Sequence, residues 1–153
     1  MKGLKETIEG SFSLIGGDFS RGGAASCELK AILEKLHLPE DIIQRATISA
    51  FEAEMNVIIH AIAGTMLYSV TPERIKIVVT DMGPGIPDIE LAMQEGYSTA
   101  PDWVKEMGWG AGMGLPNMKK NADVFNIDSV VGEGTTVELI IYIPKEWRKH
   151  EDQ

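Results

Sequence analysis

The chain has 153 residues, 44% of them hydrophobic, with a formal net charge of −9 and a sequence pI near 4.8. That supplies enough apolar residues for one core and, by length, one domain. The acidic balance speaks against a nucleic-acid binder, because neutralising phosphates takes clustered Lys and Arg; an anionic ligand would have to be held by local donors and a metal.

Cys27 is the only cysteine, which excludes an intrachain disulfide and a cysteine-rich metal site. Its neighbours Ala24, Leu29 and Ala31 suit a small buried residue. No apolar run reaches the ~18 residues of a membrane span. The start, Met1 to Glu6, lacks the apolar region of a signal peptide. The expected setting is therefore cytoplasmic, with no membrane partner.

Thr7 to Ile15 alternates loosely through Ile8, Phe12 and Leu14 and predicts a strand, broken by Gly16-Gly17. Asp18 or Ser20 then caps a helix reaching about Leu36, with Cys27, Ile32, Leu33 and Leu36 on its core face. Pro39 suits a helix start, and the stretch to about Ala63 reads as one long helix. Ile48, Phe51, Met55, Ile58, Ile59 and Ile62 form its apolar stripe. Met66 to Val70 and Arg74 to Thr80 predict a strand pair around Thr71-Pro72-Glu73. Asp88 to Gln94 is a short helix ended by Gly96, Pro101 to Gly108 a loop with a helical turn, and Gly112 to Asn121 a further helix. Val124 to Val131 and Thr135 to Ile143 close the chain as a hairpin around Gly132-Glu133-Gly134. Early helices and strands that pair with sequence neighbours predict an α+β, two-layer α/β sandwich, with helices on one face of a mixed, mostly antiparallel sheet.

Three separated motifs fit one nucleotide site. Glu52 and Asn56, four apart, share one edge of the long helix. Polar side chains at the margin of a core face need partners. Asn56 offers a neutral hard oxygen to Mg²⁺; Glu52 can hold a ligand water or accept a proton from an attacking hydroxyl. Alone, the pair is also what chance places on a helix surface. Asp81, at the end of the Val78-Val79-Thr80 run, is an acceptor suited to the amino group of adenine, and Gly83 and Gly85 allow close backbone approach. By itself the segment also reads as a plain turn. Gly108, Gly110, Gly112 and Gly114 alternate ahead of a helix, exposing successive N–H groups and a positive helix end to phosphate, or simply forming a flexible loop. Neither a Walker A nor a Rossmann glycine pattern is present.

Lesser candidates are His60, structural or catalytic, on the helix edge of Asn56; Ser98 and Thr99, ordinary loop hydroxyls or γ-phosphate contacts; and Lys105, Lys119 or Lys120 as phosphate neutralisers. His37 and His150 sit near element ends. Trp103, Trp109 and Trp147 can cover a ligand, seal a lid or pack.

In this order the motifs resemble the GHKL (Bergerat) ATP-binding fold of gyrase, histidine kinases and MutL. Asp81 to Ile89, Glu95 to Thr99, Gly110 to Asn117 and Asp128 to Thr135 are similar to its small stand-alone anti-sigma-factor and switch-kinase branch. The resemblance covers about residues 40–143 and is specific from Asp81 onward. It implies ATP and Mg²⁺ as cofactors, Glu52 as catalytic base and Asn56 as the metal ligand. Nucleotide contacts would fall on Asn56, Asp81, Gly83, Gly85, Ile86, Ser98, Thr99, Gly110, Ala111, Gly112, Met113, Gly114, Leu115 and Thr135. It further implies a serine/threonine protein kinase acting on a STAS-domain partner, a possible sigma-factor partner and a possible homodimer. The alternatives are a non-catalytic, nucleotide-gated protein that sequesters a sigma factor or other regulator, and an ATP-hydrolysing switch. A histidine kinase is disfavoured because no separate dimerisation helix pair carries a phospho-acceptor His. Pro101 to Trp109 makes the lid longer than in compact switch kinases.

Overall fold

The computed structural model of the chain describes residues 7–100, 102 and 113–147. In chain order it contains β1 (Ile8–Ile15), a 3-10 turn (Phe19–Arg21), α1 (Ala24–Lys35), α2 (Glu40–His60), β2 (Ala63–Val70), β3 (Arg74–Met82), α3 (Ile89–Ala92), α4 (Gly114–Asn121), β4 (Val124–Val130) and β5 (Gly134–Tyr142). The α+β, two-layer architecture is the expected one. The sheet runs β1-β2-β3-β5-β4; a mixed, mostly antiparallel sheet was expected, and all four ladders are antiparallel. The reason lies in the last connection. After β3 the chain crosses through α3 and α4 and returns as the β4–β5 hairpin, and β5 inserts beside β3. β4, which runs parallel to β3, lies one position further out.

Strand alternation decides what faces the helices. Successive side chains point to opposite sides, so Ile75, Ile77 and Val79 of β3 share a face, and their register brings Val70, Tyr68 and Met66 of β2 alongside. On the other side they meet Ile141, Leu139 and Val137 of β5. The same face continues to Phe125 and Ile127 of β4. Against it the helices bury Leu29, Leu33, Ile42, Ala46, Ala50, Ala53 and Val57. Each Leu, Ile or Val side chain among these contributes about 1.5–3 kcal/mol on removal from water, and each Ala less.

Three expectations are corrected, one by helix rotation and two by where elements end. Cys27 is exposed, and α1 buries Ala25, Ser26, Leu29 and Leu33 instead. Leu29 lies two positions after Cys27, about 200° around the helix, so burying one exposes the other. The long helix stops at His60; Ala61 is extended, the Ile62 N–H donates to the Met82 carbonyl at 3.0 Å, and β2 begins at Ala63. Ile62 is consequently 78% exposed instead of completing a core stripe. Of the remaining stripe, Met55 and Ile58 are buried, whereas Ile48, Phe51 and Ile59 are half-buried. Finally, β3 runs two residues past Thr80, so Asp81 lies within the strand, opposite Gly64. Among the described residues no helix is long and apolar enough to cross a membrane.

Candidate nucleotide site

At one end of the sheet the helix-facing rows change character. After Met66, Val79, Val137 and Ile127 comes Gly64, Asp81, Thr135 and Ser129. The period of two that sends Ile75, Ile77 and Val79 into the core therefore delivers the Asp81 carboxylate to its margin. There a cavity of about 460 Å³ opens between α2, the sheet end, α3 and the start of α4. That is within the size range of small-molecule sites.

One end of the cavity is built around Asp81. Its Oδ1 accepts the Thr135 N–H at 3.1 Å, and the carboxylate also accepts the Gly83 N–H. Burial pushes its pKa above the ordinary 3.8, and the two N–H groups pull the other way. The turn that follows is strapped to the closing hairpin. Ser129 Oγ accepts the Ile86 N–H at 2.7 Å and lies 2.8 Å from Thr135 Oγ1, while the Gly132 N–H donates to the Pro84 carbonyl at 2.8 Å. Gly85 has φ of +76°, and a Cβ there would stand 2.5 Å from the Val130 carbonyl oxygen, so no other residue fits without moving the hairpin. Val79, Ile86, Ile127 and Val137 supply apolar walls. A flat base with an amino edge matches this combination of one acceptor and aliphatic walls.

The other end is built by α2 and α4. Glu52 and Asn56, one turn apart on α2, both line the cavity. The first residue of α4 comes up against them: a Cβ on Gly114 would lie 3.2 Å from Asn56 Oδ1 and 3.4 Å from Glu52 Oε2. Asn117 Nδ2 donates to Glu52 Oε2 at 3.4 Å. Burial raises the Glu52 pKa above 4.5, and the Asn117 amide offsets part of that. A desolvated carboxylate with one long hydrogen bond is held in a state that favours taking up a proton. Among the described residues no cluster of three or more His, Cys, Asp or Glu is placed to hold a metal. A cation here would take Asn56 Oδ1 and complete its shell with water and phosphate oxygens, as Mg²⁺ does.

Of the other residues singled out in the sequence, Ile86, Ser98, Thr99, Met113, Leu115 and Thr135 line the cavity. Ser98 Oγ also accepts the Ala100 N–H at 3.1 Å. Gly83 is not in the wall; it sits behind it, against Ala61 and Asp81. Gly110, Ala111 and Gly112 lie outside the described residues, as do Gly108, Trp103, Lys105, Trp109 and His150. His60 lines the wall, and desolvation holds its imidazole below the ordinary 6.5. Lys119 and Lys120 occupy the last turn of α4, away from the end that meets Glu52, and Lys120 Nζ pairs with Glu95 Oε1 at 2.7 Å. Trp147 Nε1 donates to the His37 carbonyl at 2.9 Å, tying those two residues to each other outside the cavity. No part in the site was expected of Asn117 or Ser129. Ser129 was open to discovery, since Phe125, Ile127 and Ser129 alternate.

Comparison with known proteins matches residues 22–141 to the histidine kinase-like ATPase domain. The match reaches back across α1, further than the motifs themselves extend. The chain is 35% identical over 103 residues to the serine/threonine-protein kinase RsbT of Bacillus subtilis, covering 65% of this chain and 71% of that protein. It is 36% identical over 96 residues to an anti-sigma F factor of Pasteuria penetrans, covering 58% of this chain and 61% of that protein. To an anti-sigma F factor of Anoxybacillus flavithermus it is 37% identical over 100 residues, covering 61% and 65%. The chain thus spans less than two thirds of the length of these two anti-sigma factors. Relatives of both kinds are those of the stand-alone branch that the motifs resemble. With the domain match covering more than half its length, the chain belongs to the histidine kinase-like ATPase domain family.

Proposed function

We propose that the chain binds ATP with Mg²⁺ and transfers the γ-phosphoryl group to a serine or threonine hydroxyl of a STAS-domain regulatory protein. The observation that carries this is the convergence of the desolvated Glu52 carboxylate, the Asn56 oxygen and the first turn of α4 at one end of the cavity. Asp81 reads the adenine amino group, with Ile86 and Val137 packing on the base. The start of α4 turns N–H groups and the positive end of its dipole toward the phosphates. Asn56 holds the metal, and the metal when bound neutralises charge on the phosphates. Glu52 takes the proton of the attacking hydroxyl as its oxygen bonds to the γ-phosphorus and the bond to ADP breaks. Similarity to a named serine/threonine kinase supports this reading. Similarity to anti-sigma F factors favours a second one, in which the nucleotide-bound form also sequesters a sigma factor.

The test is phosphotransfer from labelled ATP to candidate STAS-domain proteins, with Glu52→Gln as control. Label on a serine or threonine of the partner, lost in the variant while ATP affinity is kept, is the expected result. Tight ATP binding and a stable sigma-factor complex without transfer moves the function to sequestration. No uptake of ATP–Mg²⁺ at millimolar concentration in calorimetry overturns both.

A further inference from the structure

The α2–α4 contacts form an antiparallel register. Arg45 Nε donates to the Asn121 carbonyl at 2.9 Å, and Arg45 Nη2 pairs with Asp123 Oδ1 at 2.9 Å. Glu52 meets Asn117, and Asn56 meets Gly114. Positions 45, 52 and 56 lie seven and four apart and share a stripe of α2; positions 121, 117 and 114 lie four and three apart on α4. Seven residues rise about 10 Å and four about 6 Å, and the long Arg45 side chain spans the difference. The two ends of this pairing are unequal. At the C-terminal end of α4 a guanidinium satisfies a terminal carbonyl and an adjacent carboxylate, a favoured position for a cation. At the N-terminal end the side-chain contact is one amide at 3.4 Å. The Asn117 backbone is fixed in turn, because Asn121 Nδ2 donates to its carbonyl at 2.8 Å.

We propose that Asn117 is the positioning residue for Glu52: its side-chain amide, carried on α4, engages Oε2 and leaves Oε1 as the oxygen that meets the substrate hydroxyl. This rests on the proton-accepting role given to Glu52 above. The residue type is specific to the task. A Lys at 117 would form an ion pair and weaken the base, and an Asp would repel it; a neutral amide orients the carboxylate while adding no charge. Because Gly114 and Asn117 are one turn apart on α4, the helix end assigned to the phosphates also carries the donor that turns the base. Placement of phosphate and placement of base are then set by one rigid element.

The experiment titrates Glu52 directly, by carbon NMR of the full chain labelled at glutamate carboxyls, with Glu52→Gln identifying the signal. Asn117→Leu removes the donor at similar volume, and Asn117→Asp replaces it with a like charge. Both variants are expected to move the Glu52 midpoint upward, Asp more than Leu. Phosphotransfer kcat should fall about tenfold in Asn117→Leu, the loss from one hydrogen bond to a charged group, with KM for ATP unchanged and the acid limb of the pH profile shifted the same way. A helix-packing role alone would lower the melting temperature and leave the titration in place. An unmoved Glu52 midpoint in both variants, with native circular dichroism, overturns the proposal. A moved midpoint in a chain whose wild type phosphorylates no partner removes the kinase reading and keeps the coupling, so the two failures are distinguishable.

Discussion

Two glutamates two residues apart on α2 are treated in opposite ways. Glu54 is 1% exposed and accepts three backbone N–H groups, from Gly23 at 3.1 Å, Ala25 at 3.1 Å and Ser26 at 3.0 Å. Those donors open α1, whose N-cap Gly23 has no side chain to satisfy them. Glu52, about 200° around the helix, faces the cavity with a single amide at 3.4 Å. Burial matched by donors builds scaffold. Burial poorly matched by donors leaves a carboxylate whose protonation is unsettled, and that is the condition a general base requires.

The largest effect should come from breaking the satisfied side. Glu54→Ala strands three buried N–H groups, each costing about 1–3 kcal/mol when left unpaired, so the variant should lose about 3 kcal/mol or more in urea unfolding. Glu52→Ala, on the same helix but facing the cavity, should lose far less. Equal losses at the two positions would mean that the distinction between scaffold and site drawn along α2 is false.

A second contrast, within the site, lies between Glu52 and Asp81. Both are pushed upward by burial, but Asp81 has two N–H groups holding it in place. Asp81→Asn keeps an acceptor for Thr135 and so should preserve the fold, yet it turns a charged acceptor into a neutral one whose NH₂ group opposes the adenine amino edge. ATP affinity by calorimetry should fall about ten- to a hundredfold, the worth of a hydrogen bond to a charged group. Unchanged affinity would detach the base from this end of the cavity.

The site was legible in the sequence wherever one local period sufficed. The spacing of four between Glu52 and Asn56 fixes their shared helix edge, and alternation through Ile75, Ile77 and Val79 fixes the side on which Asp81 appears, even though the strand outlasts its expected end. What stayed hidden depends on pairings distant in the chain. Glu54 reads as one more helix residue until α1, about thirty residues upstream, is laid across it. Ser129 acquires its role only when the hairpin folds back on Ile86, 43 residues away. The Cys27 expectation failed for a related reason: the rotation of α1 about its axis follows the three N–H groups docked on Glu54, and no property of Cys27 itself reports that docking. Of the expected mixed, mostly antiparallel sheet only the parallel component is missing among the described strands, because adjacency of β5 to β3 is a matter of insertion, which strand propensity does not encode.

The smallest effect tests the same contrast through pH. The folded-state pKa of Glu52 lies above its ordinary 4.5 and that of Asp81 above its ordinary 3.8. Between the ordinary and the raised values the native chain binds more protons than the unfolded one, so stability falls as pH rises. The contribution is fully present below the ordinary values and is lost as pH climbs through the raised ones. At neutral pH both carboxylates therefore weigh against the ligand-free fold. Glu95 and Glu138 have the opposite sign. The Lys120 contact holds Glu95 low, and Asn126 with Lys76 holds Glu138 low, so their contributions are lost as pH falls. Both are exposed to screening, which keeps these contributions small. The melting temperature of Glu52→Gln relative to wild type isolates the site from these surface pairs. The difference should be near zero or negative at pH about 3, well below the ordinary value, where Glu52 is protonated in both states, and should turn in favour of the variant toward neutrality. Adding ATP–Mg²⁺ at neutral pH should then favour wild type at least as strongly as the variant. A difference that stays constant with pH would show that the Glu52 carboxylate is as comfortable in the cavity as in water, and the contrast with Glu54 would lose its electrostatic basis.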